Sequence, residues 1–179
     1  MNVQTTSLSG VLLLEPRVFP DARGFFLESY NRRAFAEAGI TCEFVQDNHS
    51  KSARGTLRGL HFQRPPRAQD KLVRVVAGTV YDVVVDLRRG SPTFGRWEGF
   101  TLGADNFRML FVPGGFAHGF CVLSDTAEMC YKCSDFYAPD LQGGIPWNDP
   151  DVGIAWPLAD PILSERDRNH PPFAAVPGL

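Results

Sequence analysis

The stretch Lys71-Leu72-Val73-Arg74-Val75-Val76-Ala77-Gly78-Thr79-Val80-Tyr81-Asp82-Val83-Val84-Val85-Asp86 reads as two β-strands joined at a glycine turn. In the first strand Lys71, Val73 and Val75 share a face, as alternate residues of a pleated chain must. The same texture extends in both directions. Short apolar or alternating runs at Val11–Leu14, Gly24–Ser29, Cys42–Asn48, Thr56–Phe62, Trp97–Leu102, Arg108–Val112, Ala117–Leu123 and Ala127–Ser134 join Lys71–Ala77 and Thr79–Leu87 as expected strands. Turn signals separate them, among them Arg89-Gly90-Ser91-Pro92, Gly103-Ala104-Asp105-Asn106 and Pro113-Gly114-Gly115. This spacing predicts an all-β meander closed as a sandwich or barrel.

One early helix is expected over Arg32–Ala38, capped by Asn31 and ended by Gly39. The tail from Tyr137 onward mixes turns with a short capped helix at Ser164-Glu165-Arg166-Asp167. At 179 residues and 44% hydrophobic, without an internal repeat or linker, the chain is expected to form one domain, residues 1–179. The first thirty residues carry two apolar strands separated by Glu15-Pro16-Arg17, outside the main meander. Exposed strand edges are a hazard unless covered, so an exchange of these strands across a homodimer is expected.

A net charge of −2 gives no global attraction for nucleic acid or an anionic membrane, and an anion must be met by a local Arg/Lys cluster. Val11-Leu12-Leu13-Leu14 is too short for a signal or membrane segment, so a cytoplasmic protein is expected. Cys130 and Cys133 form a C-x-x-C, but on a strand residues three apart point to opposite faces, which suits reduced structural thiols better than a metal site. The histidines are His49, His61, His118 and His170, with no His-x-His pair; no metal and no cofactor are expected.

Several residues on the expected strands carry chemistry. In Arg58-Gly59-Leu60-His61-Phe62-Gln63 strict alternation puts Arg58 and His61 on opposite faces unless a bulge at Gly59 turns both into one cavity. Singly, Lys71 reads as an edge lysine and Tyr131 as a core tyrosine. Together they match an enolisation. Removing a proton beside a ketone needs a base near neutrality, which histidine supplies with a pKa of about 6.5. It also needs a donor at the developing enolate oxygen, for which lysine serves, and an acid on the other face, for which a tyrosine of pKa about 10 serves. An aspartate on the second ring nitrogen would hold the tautomer.

The strings Arg23-Gly24-Phe25-Phe26-Leu27-Glu28-Ser29-Tyr30, Phe44-Val45-Gln46-Asp47-Asn48-His49-Ser50-Lys51-Ser52, Leu57-Arg58-Gly59-Leu60-His61-Phe62-Gln63, Ser91-Pro92-Thr93-Phe94-Gly95, Pro113-Gly114-Gly115-Phe116-Ala117-His118-Gly119-Phe120 and Trp147-Asn148-Asp149-Pro150 resemble, in order, those of the dTDP-4-dehydrorhamnose 3,5-epimerases. The resemblance runs from about Val11 to Asp167. It implies a cupin-like jelly roll (double-stranded β-helix) with a few short helices, a metal-free homodimer, and conversion of dTDP-4-dehydro-6-deoxy-D-glucose to dTDP-4-dehydro-L-rhamnose. It implies His61 as the base, Asp167 as its partner, Tyr131 as the acid and Lys71 as the enolate donor. For the nucleotide it implies Arg23 and Arg58 at the diphosphate, Glu28, Gln46, Asp47 and Asn48 toward thymidine, Tyr137 stacked on the base and His118 near the sugar, with Arg23 and Glu28 reaching across the dimer. Three positions depart from the pattern: Gln142 where relatives often carry an acid, Arg166 where some carry lysine, and Phe136 where tyrosine is common. Both Gln142 and Arg166 are expected to touch the ligand. A single-site 3- or 5-epimerase would keep the same His61, Lys71 and Tyr131, a cupin-like 3,4-ketoisomerase fits the motifs less well, and a silent sugar-nucleotide binder would need only the arginines.

Overall fold

The computed structural model describes residues 1–176 and 178–179. Among them the strands are β1 (Asn2–Thr5), β2 (Leu12–Glu15), β3 (Val18–Asp21), β4 (Gly24–Leu27), β5 (Gln46–Ala53), β6 (Leu57–Gln63), β7 (Lys71–Ala77), β8 (Thr79–Asp86), β9 (Trp97–Gly103), β10 (Met109–Val112), β11 (Phe116–Val122), β12 (Thr126–Cys133) and β13 (Gln142–Gly144). The helices are α1 (Arg32–Glu37) and α2 (Glu165–Arg168). Six strands form one sheet in the order β1-β2-β10-β7-β12-β5, five form a second in the order β13-β6-β11-β8-β9, and β3 pairs only with β4. This is a cupin-like jelly roll.

The order corrects the expected meander: neighbours such as β10 with β2, and β12 with β5, are far apart in sequence. Periodicity reports which residues share a face, not which strand lies beside which. The N-terminal expectation also changes. β2 is not outside the main sheets but hydrogen-bonded to β10, with Leu13 opposite Leu110, and only the β3–β4 hairpin stands apart. The strand expected over Cys42–Asn48 runs instead from Gln46 to Ala53. Its residues, Gln-Asp-Asn-His-Ser-Lys-Ser-Ala, are almost all polar, so no apolar alternation announced it.

Burial explains the layers. Val73, Val75, Leu110, Val112 and Met129 of the six-stranded sheet pack against Val80, Val84, Leu102, Phe116, Phe120 and Val122 of the other. Each fully buried aliphatic side chain of this kind contributes roughly 1.5–3 kcal/mol. Both outer faces are covered as well. Leu14, Leu72, Met109 and Phe111 pack beneath Phe35 of α1 and Ile40 after it, and Leu60, Phe62, Val83, Val85 and Ala117 pack against Ile145 and Val152 of the C-terminal segment. The helix starts where expected because Asn31 Oδ1 accepts from the amides of Arg33 at 3.0 Å and Ala34 at 3.3 Å. Gly39, at φ +87°, lets the chain leave it.

On β12, Met129, Tyr131 and Cys133 face inward while Cys130 faces out, so the C-x-x-C thiols are separated as alternation requires. No helix among the described residues is long and apolar enough to cross a membrane.

Candidate functional site

The inner faces of the two sheets are apolar at one end and polar at the other. A cavity of about 490 Å³ opens at the polar end, lined among others by Arg58, His61, Lys71, His118, Tyr131, Gln142, Arg166 and Asp167. Lys71 continues the face of Val73 and Val75, and Tyr131 continues that of Met129. In the β12–β7 ladder Tyr131 lies opposite Val73 and Cys133 opposite Lys71, so the phenol and the ammonium are diagonal neighbours on one wall. His61 and His118 form the facing wall, opposite each other on β6 and β11.

Gly59 solves the parity problem of β6. Phe120, an inner residue, lies opposite Arg58, and His118 lies opposite His61, with a register shift between the two pairs. The shift places Arg58 on the cavity side with His61, while Leu60 and Phe62 face the outer cluster. Gly59 takes φ +129°, and a Cβ there would sit 2.6 Å from the Gly119 Cα and 2.9 Å from the His118 carbonyl oxygen. Arg58 Nε then donates to Ser52 Oγ at 3.0 Å, and its Nη2 to the Lys51 carbonyl at 3.3 Å.

His61 Nε2 donates to Asp167 Oδ1 at 2.6 Å, and the Gly59 amide reaches Asp167 Oδ2 at 3.5 Å. Asp167 is carried there by α2, whose cap Ser164 accepts from the Asp167 amide at 3.1 Å. Burial alone would raise the Asp167 carboxyl, but His170 and His61 beside it outweigh burial and hold it below the usual carboxylate range. Burial pushes His61 below its ordinary pKa, with Asp167 opposing and Lys71 adding a like charge. The imidazole is therefore neutral at pH 7, the form that accepts a proton. Burial also lowers the Lys71 ammonium, against the pull of Cys133 and Asp82, and raises the Tyr131 phenol, which stays protonated. A neutral base, an acid that keeps its proton and the amine of Lys71 thus share one cavity.

His118 is held by a residue that sequence reasoning missed. Asp82, fully buried, accepts from His118 Nε2 at 2.8 and 3.0 Å through its two oxygens. The available signal was a carboxylate in the middle of a valine-rich strand, a costly placement without a partner. His170 was also missed: its ring centroid lies 5.5 Å from that of His61.

The remaining expected residues lie around the cavity or away from it. Gln46 and Asn48 are joined side chain to side chain at 3.0 Å, and the Gln46 Oε1 accepts from the Tyr137 amide at 3.0 Å. Asp47 does not join them. It points to the opposite face of β5 and takes Lys132 Nζ at 2.8 Å, because three consecutive strand residues cannot share one surface. Tyr137, about half exposed, donates its hydroxyl to Gln142 Oε1 at 2.7 Å, and Arg166 donates to the same oxygen. Arg23 and Glu28 are not among the residues lining the cavity of their own chain. Arg23, its side chain 91% exposed, pairs with Asp21 at 2.6 Å on the β3–β4 hairpin.

The family model described as dTDP-4-dehydrorhamnose 3,5-epimerase matches residues 5–175. The curated relative from Pseudomonas aeruginosa, named dTDP-4-dehydrorhamnose 3,5-epimerase, is 58% identical over 176 residues, 97% of each chain. The crystal structure of the enzyme of that name from Bacillus anthracis, with TDP and PPi bound, is 51% identical with a TM-score of 0.94, covering 96% of this chain and 98% of that one. The dTDP-6-deoxy-D-glucose-3,5-epimerase of Legionella pneumophila, in complex with dTDP-4-keto-L-rhamnose, is 45% identical with a TM-score of 0.95, covering 98% of this chain and 94% of that one. A match over almost the whole length, together with the jelly roll and the motif strings around His61 and His118, makes this chain a member of the dTDP-4-dehydrorhamnose 3,5-epimerase family.

Proposed function

We propose that this protein epimerises C3 and C5 of dTDP-4-dehydro-6-deoxy-D-glucose to give dTDP-4-dehydro-L-rhamnose. The observation that carries the reading is the 2.6 Å His61–Asp167 pair in one cavity with Lys71 and Tyr131 on the facing sheet. His61 takes the proton from a carbon beside the C4 ketone, and the C–H electron pair moves onto the C4 oxygen. The Lys71 ammonium stabilises that enolate oxygen, a stabilisation that grows only as charge develops. Tyr131 donates its phenolic proton to the carbon from the opposite face, which inverts the centre. His61 then releases its proton to solvent and the Tyr131 phenolate takes one up, which resets both groups for the second carbon. Asp167 stabilises the imidazolium in between.

Arg58, its guanidinium aimed by Ser52 and Lys51, takes the diphosphate, where a fork of donors suits paired oxygens. His118 meets the sugar. Gln46, Asn48, Tyr137, Gln142 and Arg166 hold the nucleoside end, while Asp47, turned to Lys132, contributes no contact there. Residues 1–179 work as one domain. The β3–β4 hairpin, with Phe25 59% and Phe26 67% exposed, is read as the segment that reaches a second copy, carrying Arg23 and Glu28 to that copy's cavity. Sedimentation equilibrium is then expected to give twice the 19.8 kDa of one chain, and a monomer would remove Arg23 and Glu28 from the site. All four cysteines are free, which supports a reducing, cytoplasmic setting.

The deciding experiment is NMR of the 4-keto sugar nucleotide turned over in D2O. Deuterium should enter at both C3 and C5; wash-in at one carbon alone would make the protein a single-site epimerase. In the same assay Tyr131→Phe should keep part of the exchange while losing about 10²-fold or more of the inverted product. Full product formation by that variant would sink the assignment of Tyr131 as the acid.

A further inference from the structure

Nε2 of His170 is the buried side-chain polar atom without a hydrogen-bond partner among the described residues, in a side chain only 8% exposed. It lies 3.5 Å from Asp167 Oδ1, the oxygen that His61 already occupies at 2.6 Å. The position is built by the fold. Asp167 and His170 are three residues apart at the end of α2, and the ring lies over Gly144, which pairs with His61 across β13 and β6. A Cβ at Gly144 would come within 2.3 Å of the His170 ring, so glycine is what makes room for it.

A ring nitrogen is either an N–H donor or a lone pair. As a lone pair, Nε2 of His170 faces a carboxylate oxygen with no proton between them, an arrangement a cation would stabilise. Donor atoms of His61, Asp167 and His170 all lie within 4.8 Å of one another. Two imidazoles and one carboxylate are a donor set that binds zinc, with a fourth position left for water. At metal–ligand distances of about 2.0–2.2 Å, tetrahedral ligands stand roughly 3.3 Å apart. The His170–Asp167 separation already suits this, and the His61–Asp167 pair must open by roughly 0.7 Å to do so.

We propose that His61, Asp167 and His170 form a site for a zinc-type divalent cation, which displaces the proton shared by His61 and Asp167 and so switches the enzyme off. With Nε2 of His61 on the metal, the ring's remaining proton resides on Nδ1, the nitrogen left to face the cavity. The ring then has no lone pair to offer the sugar. The neutral ring only changes tautomer, its one proton passing from Nε2 to Nδ1, so none is released at pH 7. Binding weakens as the pH falls because protons then compete with the cation for the two imidazoles and the carboxylate. The inhibition half of this inference rests on the function proposed above, whereas the binding half does not.

The test uses the intact protein and ZnCl2 in a chelator-free buffer, with binding read by calorimetry and by the visible absorption of Co2+ in place of Zn2+. One ion per chain should bind, and His170→Ala should weaken binding by at least about tenfold and abolish the tetrahedral Co2+ bands. His49→Ala, on the exposed surface, should bind as the parent does. With each protein's own rate in EDTA as the reference, added zinc should inhibit the parent but not His170→Ala. If the alanine variant fails to fold, His170→Gln replaces it. Equal zinc affinity in parent and His170 variants, or no binding to the parent, overturns the site. Binding lost in the variant with zinc leaving the parent's turnover intact overturns the switch. A parent that binds zinc but never epimerises overturns the proposed function and not the site.

Discussion

His61→Asn is expected to lower turnover by about 10²- to 10⁴-fold, the range associated with loss of a general base. Exchange at C3 and at C5 should disappear together, because the neutral imidazole of His61, held by the buried Asp167, is read as the base for both carbons. Asparagine is the informative replacement. It keeps a side-chain N–H for Asp167, so that carboxylate is not left buried and unpaired, a loss that would confound chemistry with stability. Affinity for dTDP, measured by calorimetry, should change little, since Arg58 and the residues around Tyr137 are untouched. Exchange persisting at one carbon in the variant would mean a second base, with His118 the first group to examine. Its Nε2 is committed to Asp82, but its ring lines the same cavity.

Gly59→Ala is expected to have the largest effect on the scaffold. Two costs fall on one methyl group: a φ of +129°, and a position 2.6 Å from the Gly119 Cα. Unfavourable backbone geometry costs about 1–3 kcal/mol, and overpacking costs a further 1–3 kcal/mol or so. A chain of this length loses roughly 2–4 °C of Tm per kcal/mol, so a fall of about 5–20 °C should appear in a thermal melt. Gly55→Ala separates the two contributions. Gly55 also has positive φ, +78°, but a Cβ there meets nothing within 4 Å, so its melt should fall by only a few degrees. If the two variants melt alike, the close approach of β6 to β11 is not what demands glycine at 59. Residual folded Gly59→Ala should also be a poor enzyme, because the register shift is what brings Arg58 to the side of His61.

The strands with an apolar face could be read from the chain. β7 and β8 announced themselves through Val73, Val75, Val80 and Val84, and α1 through Asn31 and Gly39. β5 could not, since one of its faces is solvated and the other polar, and neither could β13, which is Gln142-Gly143-Gly144. Strand order was illegible because ladder partners are chosen by closure of the whole sandwich. The site divided in the same way. His61, Lys71 and Tyr131 suggested themselves from the demands of enolisation, whereas Asp167 was identified only through family resemblance, since nothing local links a tail aspartate to β6. Asp82 and His170 act through tertiary neighbours alone, and their meaning emerges only when β8 meets β11 and α2 meets β13.

Lys71 stands on the same inward face of β7 as Val73 and Val75, and Tyr131 stands on that of Met129. A slip of one residue in either strand would therefore expel a reactive group from the cavity and a core residue from the interior in a single step. Misregistered molecules would be fragile as well as inactive, prone to unfold and be degraded rather than persist as inert competitors for substrate. The apolar end of the sandwich thus proofreads the reactive end.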